Sequence, residues 1–470
     1  MDIVASSEDA SLDFSIEFSN LPSSRAGDVC WRLIFRMEYG KDVGMVGEIC
    51  FCPCLFCFCL LGNEKIFPSR RLDCVWRSSL KIGILTFHSQ LNYGGVLQCW
   101  ALAQALRGLG HEVVVVDRWM APDNNRLMGP FCKHDLRMCL GIVMRGLVGC
   151  GQIGVAVRYW RTMRFVRSIG LTNYHFYDWK DAPEDLGVDC LVVGSDQLWH
   201  GGDWGYPDPR PYLLEGAPKV PAIAYAVSFG MKKLLPEYDY VSGFKRFEMI
   251  SMREREAVEM VESCGVPAVQ TVDPTQLIER SIVARLVGRR KKKKQIACYF
   301  LAQPIGECLK TLEEYACANQ CKVKILCHEM HYIRKVPRTL REMFQRLRDF
   351  LFRKRTVVCL GYGPKEFVRV IAESEACITD SFHAVMFSTV FDVNCRFLRP
   401  STEGRAMMFS RIEEFVKDVV QGPMIADSLT LALKSLKSGE HVVYSHDCLS
   451  LLRAKSLKWL SGAIEKAVAK

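Results

Sequence analysis

The sequence lacks a hydrophobic segment of the length that a membrane-spanning helix requires. Its apolar run at residues 49–61 falls short of the roughly 20 residues needed, and it lies too far into the chain for a signal peptide. A membrane-anchored structural protein built around this run is therefore the least favoured class of function.

Glycine is sparse where a dinucleotide-binding fold would need it. A predicted strand at 81–87 leads through Gly94 and Gly95 into a helix, and a second strand follows at 112–116. This βαβ pattern is typical of a parallel sheet covered by helices. Three spaced glycines are missing, so nicotinamide and flavin cofactors are not expected, and Asp117 is predicted to pair locally. The glycine pair either lets a ligand approach the backbone or only makes the turn.

The 22 cysteines form neither a disulfide framework nor a zinc motif. Seven lie within residues 1–79, five of them in the apolar run, where the polar turns of paired Cys-x-x-Cys zinc knuckles are missing. No metal site is predicted. The other 15 are scattered, which suits a reducing compartment. We expect a cytoplasmic protein, with the inner face of the membrane as an alternative location.

The net charge of +10 comes without an aromatic and basic binding motif, so no nucleic-acid partner is expected. Moderate positive charge fits an enzyme that handles anionic substrates, or one that works beside anionic lipid. The basic run at 288–294 is interpreted as a solvated linker between two lobes, with peripheral membrane contact as the alternative.

Predicted strands and helices alternate on both sides of this linker, and 470 residues are enough for two or three domains. The predicted units are a non-family extension at 1–79, an N-terminal lobe at 80–287, the linker at 288–294, a C-terminal lobe at 295–446 and a final helix at 447–470. The final helix is basic and amphipathic, and we expect it to pack back on either lobe.

Residues 1–79 are expected to be either not native or poorly ordered. Leu80 immediately precedes the first strand of the α/β region, where a start methionine would be expected. Some bacterial leucine codons serve as starts, so we hypothesise that the natural chain begins at Leu80, decoded as methionine. The intact mass of the endogenous protein tests this hypothesis.

The segment 379–388 carries the most informative signal. An apolar strand at 376–378 precedes it and an apolar helix follows, with Asp380 or Ser381 as the candidate N-cap. His383 then falls in the first helical turn, beside unpaired backbone N–H groups and the positive end of the helix dipole. There an anionic substrate can meet a proton donor. The alternative is a packed histidine whose ring nitrogens are satisfied by the backbone.

Polar residues also follow the predicted strand at 188–193, at the end where ligands gather in an open α/β sheet. They are Ser195, Asp196 and Gln197, with Trp199 beside them. The tryptophan could stack on a sugar ring while its neighbours bind the hydroxyls. A tryptophan that closes the end of the sheet is the competing interpretation.

Arg253 is predicted to emerge at the edge of the same sheet, after another strand. Arginine is the residue that binds carboxylate or phosphate through two parallel hydrogen bonds. Arg255 and the neighbouring glutamates would instead form a solvated helix face.

These segments together resemble the polysaccharide pyruvyl transferase family over residues 81–419. Four blocks carry the resemblance, and the triplet Ser410-Arg411-Ile412 follows them. The blocks are Asn92-Tyr93-Gly94-Gly95 with Gln98, Val193-Gly194-Ser195-Asp196-Gln197-Leu198-Trp199, Ser251-Met252-Arg253-Glu254 leading to Val272-Asp273-Pro274-Thr275, and Thr379-Asp380-Ser381-Phe382-His383. Ala384 stands where many members have glycine, and Gly95 where many have alanine.

The resemblance implies an α/β fold of two Rossmann-like lobes facing across a cleft, similar to the glycosyltransferase B architecture. It implies transfer of the pyruvyl unit of phosphoenolpyruvate, the donor substrate, onto hydroxyls of a cell-surface polysaccharide or its precursor, with release of phosphate. His383 would be the catalytic histidine and Arg253 the donor-binding arginine. The predicted substrate-binding residues are Asn92, Tyr93, Gly94, Gly95, Gln98, Ser195, Asp196, Gln197, Trp199 and Ser381. No cofactor or metal is expected, and the acceptor is a sugar or a lipid-linked saccharide.

The implied reaction suits these residue types. Phosphoenolpyruvate carries about three negative charges, so its pocket must offer cations and N–H groups. Protonation of its methylene carbon makes an oxocarbenium-like centre, and a histidine, with a reference pKa of about 6.5, can supply that proton. A nucleotide-sugar-dependent glycosyltransferase of the same architecture is the alternative, because a fold does not fix the chemistry. A silent glycan-binding module is less favoured, because a binder needs no proton donor.

Overall fold

The computed structural model describes residues 12–21, 30–39, 42–52, 55–61, 79–88, 91–119, 152–201, 208–231, 233–301, 305–327, 355–400 and 406–469. The chain divides into two units, Met1–Arg77 and Ser78–Lys470. In the first unit, four strands form an antiparallel sheet in chain order. They are β1 (Leu12–Leu21), β2 (Cys30–Tyr39), β3 (Asp42–Cys52) and β4 (Leu55–Leu61). The prediction that no zinc site lies in this region concerns cysteines whose side chains are outside the described part of the structure.

The N-terminal lobe of the second unit contains a six-stranded parallel sheet. Its strands are β5 (Lys81–Leu85), β6 (Glu112–Val115), β7 (Cys190–Asp196), β8 (Ala222–Val227), β9 (Met249–Met252) and β10 (Ala268–Gln270). The order across the sheet is β10-β9-β8-β7-β5-β6. The strand order therefore reverses between β5 and β7, and such a reversal point opens a crevice at the carboxyl ends of the strands.

The C-terminal lobe repeats this plan with a second six-stranded parallel sheet. Its order is β13-β12-β11-β14-β15-β17, so the reversal lies between β11 and β14. The strands are β11 (Lys293–Phe300), β12 (Lys322–Cys327), β13 (Thr356–Cys359), β14 (Ser374–Thr379), β15 (Asn394–Leu398) and β17 (Ile425–Ala426), and β16 (Val420–Gln421) pairs with β18 (Val443–Tyr444). Two parallel six-stranded sheets with helices confirm the predicted two-lobe α/β fold.

Helices cover both sheets. In chain order they are α1 (Tyr93–Gly108), α2 (Gln152–Ile169), α3 (Tyr240–Phe244), α4 (Arg255–Glu262), α5 (Pro274–Leu277), α6 (Arg280–Val287), α7 (Ile305–Ala318), α8 (Pro364–Glu373), α9 (Phe382–Val390), α10 (Ala406–Val419), α11 (Leu429–Lys437) and α12 (His446–Val468). Within the described ranges, no helix combines the length and the apolar character that crossing a membrane requires.

The two lobes share one buried apolar cluster, which includes residues of α1, α8 and α9. At its centre the ring of Tyr93 stacks on Phe367, with 4.6 Å between centroids. The Tyr93 hydroxyl also donates a 2.6 Å hydrogen bond to the carbonyl of Tyr362. Burial of aromatic rings is a major source of packing energy, so these contacts fix how the lobes lie against each other.

The last helix, α12, packs on the N-terminal lobe. Trp459 lies 6.2 Å from the ring of Tyr225 on β8. Arg453 Nε donates to the carbonyl of Gln276 at 2.9 Å, and Ser456 Oγ accepts from the N–H of Val272 at 3.2 Å. We expected this helix to pack on either lobe, and these contacts show that it packs on the N-terminal lobe.

Candidate active site

One strand at each reversal point ends in residues of a predicted block, β7 at Asp196 and β14 at Thr379. β14 leads directly into α9, and Ser381 has the extended backbone of an N-cap residue, with φ −106° and ψ 127°. Its N–H donates to Thr379 Oγ1 at 3.0 Å. Asp380, the other candidate cap, instead accepts a hydrogen bond from the N–H of Leu301 on the neighbouring chain segment. The local sequence therefore sets where α9 begins and places His383 in its first turn.

His383 reaches across to the N-terminal lobe. Its imidazole lies against the backbone of Gly94, so closely that a Cβ added at Gly94 would sit 2.2 Å from Nδ1. Its Nε2 is buried and has no hydrogen-bond partner among the described residues. The sequence left open whether the glycines admit a ligand or only make a turn. Gly94 has a further role, which is to leave room for the histidine.

Arg253 and His383 meet at one carboxylate oxygen. Arg253 Nη1 donates to Asp273 Oδ2 at 2.9 Å, and His383 Nε2 lies 3.6 Å from the same oxygen. The other oxygen of Asp273 accepts hydrogen bonds from the N–H of Thr275 at 3.0 Å and from its hydroxyl at 2.6 Å. The Asp273 side chain is fully buried. It therefore orients groups from both lobes at once.

The charges around Asp273 explain its ionisation. Burial alone would raise the pKa of this carboxyl group, but His383, Arg253 and Thr275 outweigh burial and hold the pKa well below its usual value. Burial likewise opposes the charged form of Arg253. Three carboxylates, Glu254, Asp273 and Asp196, overcome that effect and raise the pKa of Arg253 above its usual value. Both groups are therefore charged throughout the neutral range.

A second arginine comes from the C-terminal lobe. Arg411 Nε lies 3.1 Å from Glu254 Oε1, which is also 3.3 Å from Arg253 Nε. The ring of Phe382 lies near both guanidinium groups, 5.4 Å from that of Arg253 and 5.6 Å from that of Arg411. Carboxylate and aromatic ring together hold the two like charges close to each other.

A cavity of about 280 Å³ opens beside Arg253, between the two lobes. Cations outnumber carboxylates on its walls. The cations are Arg253, Arg255, Arg411, Lys417 and Lys455, and the carboxylates are Asp273, Glu414 and Asp418. His383 does not line this cavity and contacts the N-terminal lobe at Gly94 instead. The cavity favours an anionic occupant of small size.

Gln98 and Ser195 are buried near the point where the strand order of the N-terminal sheet reverses, and their hydrogen bonds hold the loops there in place. The Gln98 amide donates to Thr86 Oγ1 at 2.8 Å and to the carbonyl of Gly95 at 2.9 Å, and its oxygen accepts from the N–H of Ser195 at 3.0 Å. Ser195 Oγ donates to the carbonyl of Ala226 at 2.7 Å. Both side chains are fully buried. In this structure they position the loops and do not face the cleft.

Asn92 and Gly95 lie at the start of α1, and Asp196 lies at the end of β7. Asn92 caps α1, and its side-chain oxygen accepts from the N–H of Gly94 at 2.9 Å. A Cβ on Gly95 would lie 3.3 Å from Asp196 Oδ2 and 3.2 Å from the carbonyl of Phe87. Asp196 has a positive φ of 89° and lies 3.8 Å from Arg253 Nη2. Non-glycine residues whose backbone is held in the left-handed region cluster at functional sites.

Trp199 and Tyr93 are core residues, contrary to a direct role in substrate binding. Trp199 is fully buried among Phe229, Phe244 and Phe247, and its Nε1 donates to the carbonyl of Tyr212 at 3.0 Å. The interpretation of a tryptophan that closes the sheet therefore describes it, and stacking on a sugar does not. Tyr93 is committed to the contact between the lobes.

Gln197 and Asp117 also lie among protein neighbours. The amide of Gln197 lies over Gly230, where a Cβ would come within 2.2 Å of Nε2. Asp117 Oδ1 accepts from Trp119 Nε1 at 2.7 Å and lies 2.9 Å from Nε2 of the buried His88. This is the local pairing that the sequence predicted for Asp117.

Sequence reasoning did not assign roles to Asp273, Glu254 and Arg411. All three lie in or after the blocks of the resemblance, but the signal that joins them is spatial: a buried carboxylate must have a cation within reach. Among the residues that the structure describes, no group of three or more histidine, cysteine, aspartate and glutamate side chains is arranged to hold a metal ion.

Comparison with solved structures finds proteins of two-lobe architecture at low similarity. UDP-N-acetylglucosamine 2-epimerase from Rickettsia bellii has a TM-score of 0.44 and 9% identity, covering 83% of this chain and 98% of its own. The Methanocaldococcus jannaschii UDP-GlcNAc 2-epimerase, solved with UDP-GlcNAc and UDP, has a TM-score of 0.41 and 11% identity, covering 77% and 92%. MurG from Acinetobacter baumannii has a TM-score of 0.34 and 10% identity, covering 81% and 95%. The fold assignment rests on the two parallel sheets themselves.

No curated protein matches the chain. A family model described as polysaccharide pyruvyl transferase does match, over residues 92–402. This range lies inside the 81–419 predicted from the four blocks, and it includes Gly94, Arg253, Asp273 and His383. Because the match covers more than half of the sequence, the chain belongs to the polysaccharide pyruvyl transferase family.

Proposed function

We propose that this protein transfers the pyruvyl unit of phosphoenolpyruvate onto two hydroxyls of a sugar, forming a ketal and releasing phosphate. The observation that carries the proposal is the meeting of Arg253 and His383, from opposite lobes, at one oxygen of Asp273. Arg253 Nη2 and His383 Nε2 are both buried without a hydrogen-bond partner among the described residues. Buried donors of this kind are unfavourable unless a ligand completes them.

Arg253 is proposed to bind the donor. Its guanidinium is held by Asp273 and Glu254, so it is oriented before a substrate arrives. Arg411, which also lies near the ring of Phe382, adds a second cation to the wall of the cavity beside Arg253. As the bond to phosphate breaks, negative charge grows on the leaving group, and the two guanidinium groups stabilise it more than they stabilise the ground state.

His383 is proposed to be the general acid. Protonated imidazole gives its proton to the methylene carbon of the donor, and the first sugar hydroxyl attacks the adjacent carbon. Phosphate leaves, and the second hydroxyl closes the ketal. Of the two hydroxyl protons, one replaces the proton that His383 gave to the new methyl group and the other ends on phosphate. Asp273, 3.6 Å from Nε2, orients the ring for both transfers.

The acceptor is proposed to be a sugar of a cell-surface polysaccharide, an exopolysaccharide, or its lipid-linked precursor, and the reaction is proposed to take place in the cytoplasm or at the inner face of the membrane. No cofactor enters this scheme, because an acid and two cations suffice for the chemistry.

The test is incubation with labelled phosphoenolpyruvate and a panel of lipid-linked and nucleotide-linked sugars. We expect phosphate release that depends on the acceptor, together with the mass gain of one pyruvyl ketal on the product. Release of a nucleoside diphosphate from a nucleotide sugar, with no reaction of phosphoenolpyruvate, would instead establish the glycosyltransferase alternative.

A further inference from the structure

A second cationic region lies at the opposite end of the C-terminal sheet from His383. It is a cavity of about 700 Å³ at the point where the chain enters β11. We call it the basic groove and define it by six of the seven cations that line it, all except Lys293. They are Arg280, Arg289, Arg290, Lys291, Lys292 and Arg369. Because β11 and β14 are parallel neighbours, the first residues of β11 and the last residues of β14 lie at opposite ends of the strands.

The basic groove has more cations than the carboxylates beside it can neutralise. Arg280 pairs with Asp392 at 2.6 Å, and Arg369 pairs with Glu373 at 3.2 Å. Glu373 is further occupied by Lys293. In the described part of the chain, Arg289, Arg290, Lys291 and Lys292 form no ion pair with a carboxylate.

Several of these cations are held in place by the protein. The guanidinium of Arg290 lies 4.5 Å from the centroid of the Phe391 ring. Lys292 Nζ donates to the carbonyl of Ser374 at 2.9 Å, and Arg369 Nη2 donates to the carbonyl of Arg289 at 3.0 Å. A solvated linker would leave such side chains free to separate, whereas here the fold gathers them.

Burial and the closeness of these positive charges lower the pKa values of two of them. Burial lowers the pKa of Lys292, and the positive charge of Arg280 lowers it further. The pKa of Arg290 falls for the same two reasons, burial first and then Arg280. An anion bound beside Lys292 and Arg290 would offset the repulsion that Arg280 exerts on them.

We propose that the basic groove binds clustered phosphate groups, that is, anions with two or more phosphate charges close together. Arginine forks and lysine ammonium groups are the side chains that recognise phosphate. The cavity has room for more than one phosphate. Two sources share this chemistry, a free diphosphate and the headgroups of anionic lipid. The site is separate from the proposed reaction and does not depend on it.

The experiment measures binding of two probes to the full chain. Inorganic pyrophosphate is titrated by calorimetry, and co-sedimentation is measured with phosphatidylcholine vesicles with and without phosphatidylglycerol. The test variant is Arg289→Glu/Lys291→Glu, whose two side chains are exposed. Arg289→Gln/Lys291→Gln removes the charge without reversing it. The matched control is Lys180→Glu/Lys219→Glu, which changes the net charge equally at two exposed lysines outside the groove.

We expect wild type and control to bind at least one probe equally well. The Glu variant should bind at least about tenfold more weakly, because each basic side chain near anionic lipid contributes about a fivefold change in affinity. The Gln variant should fall between them. Loss in the pyrophosphate arm alone identifies a soluble ligand, and loss in the vesicle arm alone identifies headgroups. The proposal is overturned if neither probe binds the wild type, if the Glu variant binds like the wild type, or if the control loses as much.

Discussion

Two cationic regions of this protein differ in how their charges are balanced. Around Arg253, three carboxylates lie within 3.8 Å of one buried guanidinium. In the basic groove, four of the six cations have no carboxylate partner within the described ranges, and most of them face solvent. Both regions concentrate positive charge, but of the two only the first surrounds a buried cation with carboxylates.

This difference in charge balance distinguishes the proposed catalytic site from the basic groove, which is proposed to attract anions. A buried arginine is tolerated only with its charge paired and its donors directed, and the carboxylates that meet this requirement hold Arg253 in one orientation. Exposed cations need no such pairing. They gather anions by summed potential, which salt screens. Five tests address this contrast, in order of the expected size of their effects.

The largest effect is expected from His383→Ala. Removing the proposed proton donor should lower turnover by at least about 1,000-fold, since general acids contribute factors of this order. The fold should persist, because the ring is not part of the apolar core. Acceptor-dependent phosphate release measures the loss. His446→Ala is the control, because that exposed histidine pairs with Asp392 beside the basic groove. Near-normal turnover by the His383 variant would refute the assignment.

Next comes Gly94→Ala. The added methyl group would overlap His383 Nδ1, so the imidazole must move away from Gly94. A displacement of about 1 Å at a catalytic group can lower kcat/KM about 100-fold. Gly95→Ala is the matched control, because its Cβ would meet neighbours at 3.2 and 3.3 Å and should change kcat/KM only a few-fold. Equal effects at the two glycines would contradict the proposed role of Gly94.

Asp273→Asn is expected to act on stability as well as on turnover. Removing the partner of a buried arginine should lower the free energy of unfolding by about 3 kcal/mol. Asp392→Asn breaks an exposed pair with Arg280 and should change it by less than about 1 kcal/mol. Denaturant titration at pH 7 compares the two variants. Similar values would remove the distinction between the two regions.

The same carboxylate predicts a pH dependence. The pKa of Asp273 is lower in the folded protein than in the unfolded chain, so its contribution to stability is complete above the unfolded pKa of about 4 and is lost as the pH falls below that value. Wild type should therefore lose stability more steeply than Asp273→Asn below about pH 4. Parallel curves for the two proteins would show that Asp273 is not held ionised by the fold.

The smallest effect is expected from salt on turnover. Raising ionic strength shortens the screening length to a few ångströms, so binding in the basic groove should weaken strongly. The buried pairs around Arg253 are shielded from salt, and kcat should change less than about threefold. Calorimetry and phosphate release at two salt concentrations compare the regions. A kcat that falls in parallel with groove binding would indicate that the two regions act together.

Much of the fold could be predicted because each strand is an apolar run between turn residues. β5 and β6 begin at the predicted residues, 81 and 112, and end within two residues of the predicted ends. β7 extends three residues further than predicted, because Asp196 still pairs with Val227 of β8. That extension depends on pairing with a neighbouring strand, and neither the hydrophobic period of the sequence nor the strand propensity of its residues carries information about such pairing.

Prediction of the site succeeded for single residues and failed for their partners. His383 and Arg253 each follow the end of an apolar strand, β14 and β9, and this is a local pattern. Asp273, which joins them, follows a short loop after β10 and has no local feature that marks it as a shared partner. Trp199 shows the opposite failure, because only the ring cluster of Phe229, Phe244 and Phe247 reveals that it is packed.

The return of α12 to the N-terminal lobe has a consequence for biosynthesis. Ser456 of α12 accepts a hydrogen bond from the N–H of Val272, the residue immediately before Asp273. Trp459 of the same helix packs against Tyr225 of β8. A ribosome releases β8 and α5 long before it releases α12. The first lobe therefore keeps part of its apolar face uncovered until nearly the whole described chain has been synthesised, and the hydrogen bond that α12 makes beside Asp273 forms only then.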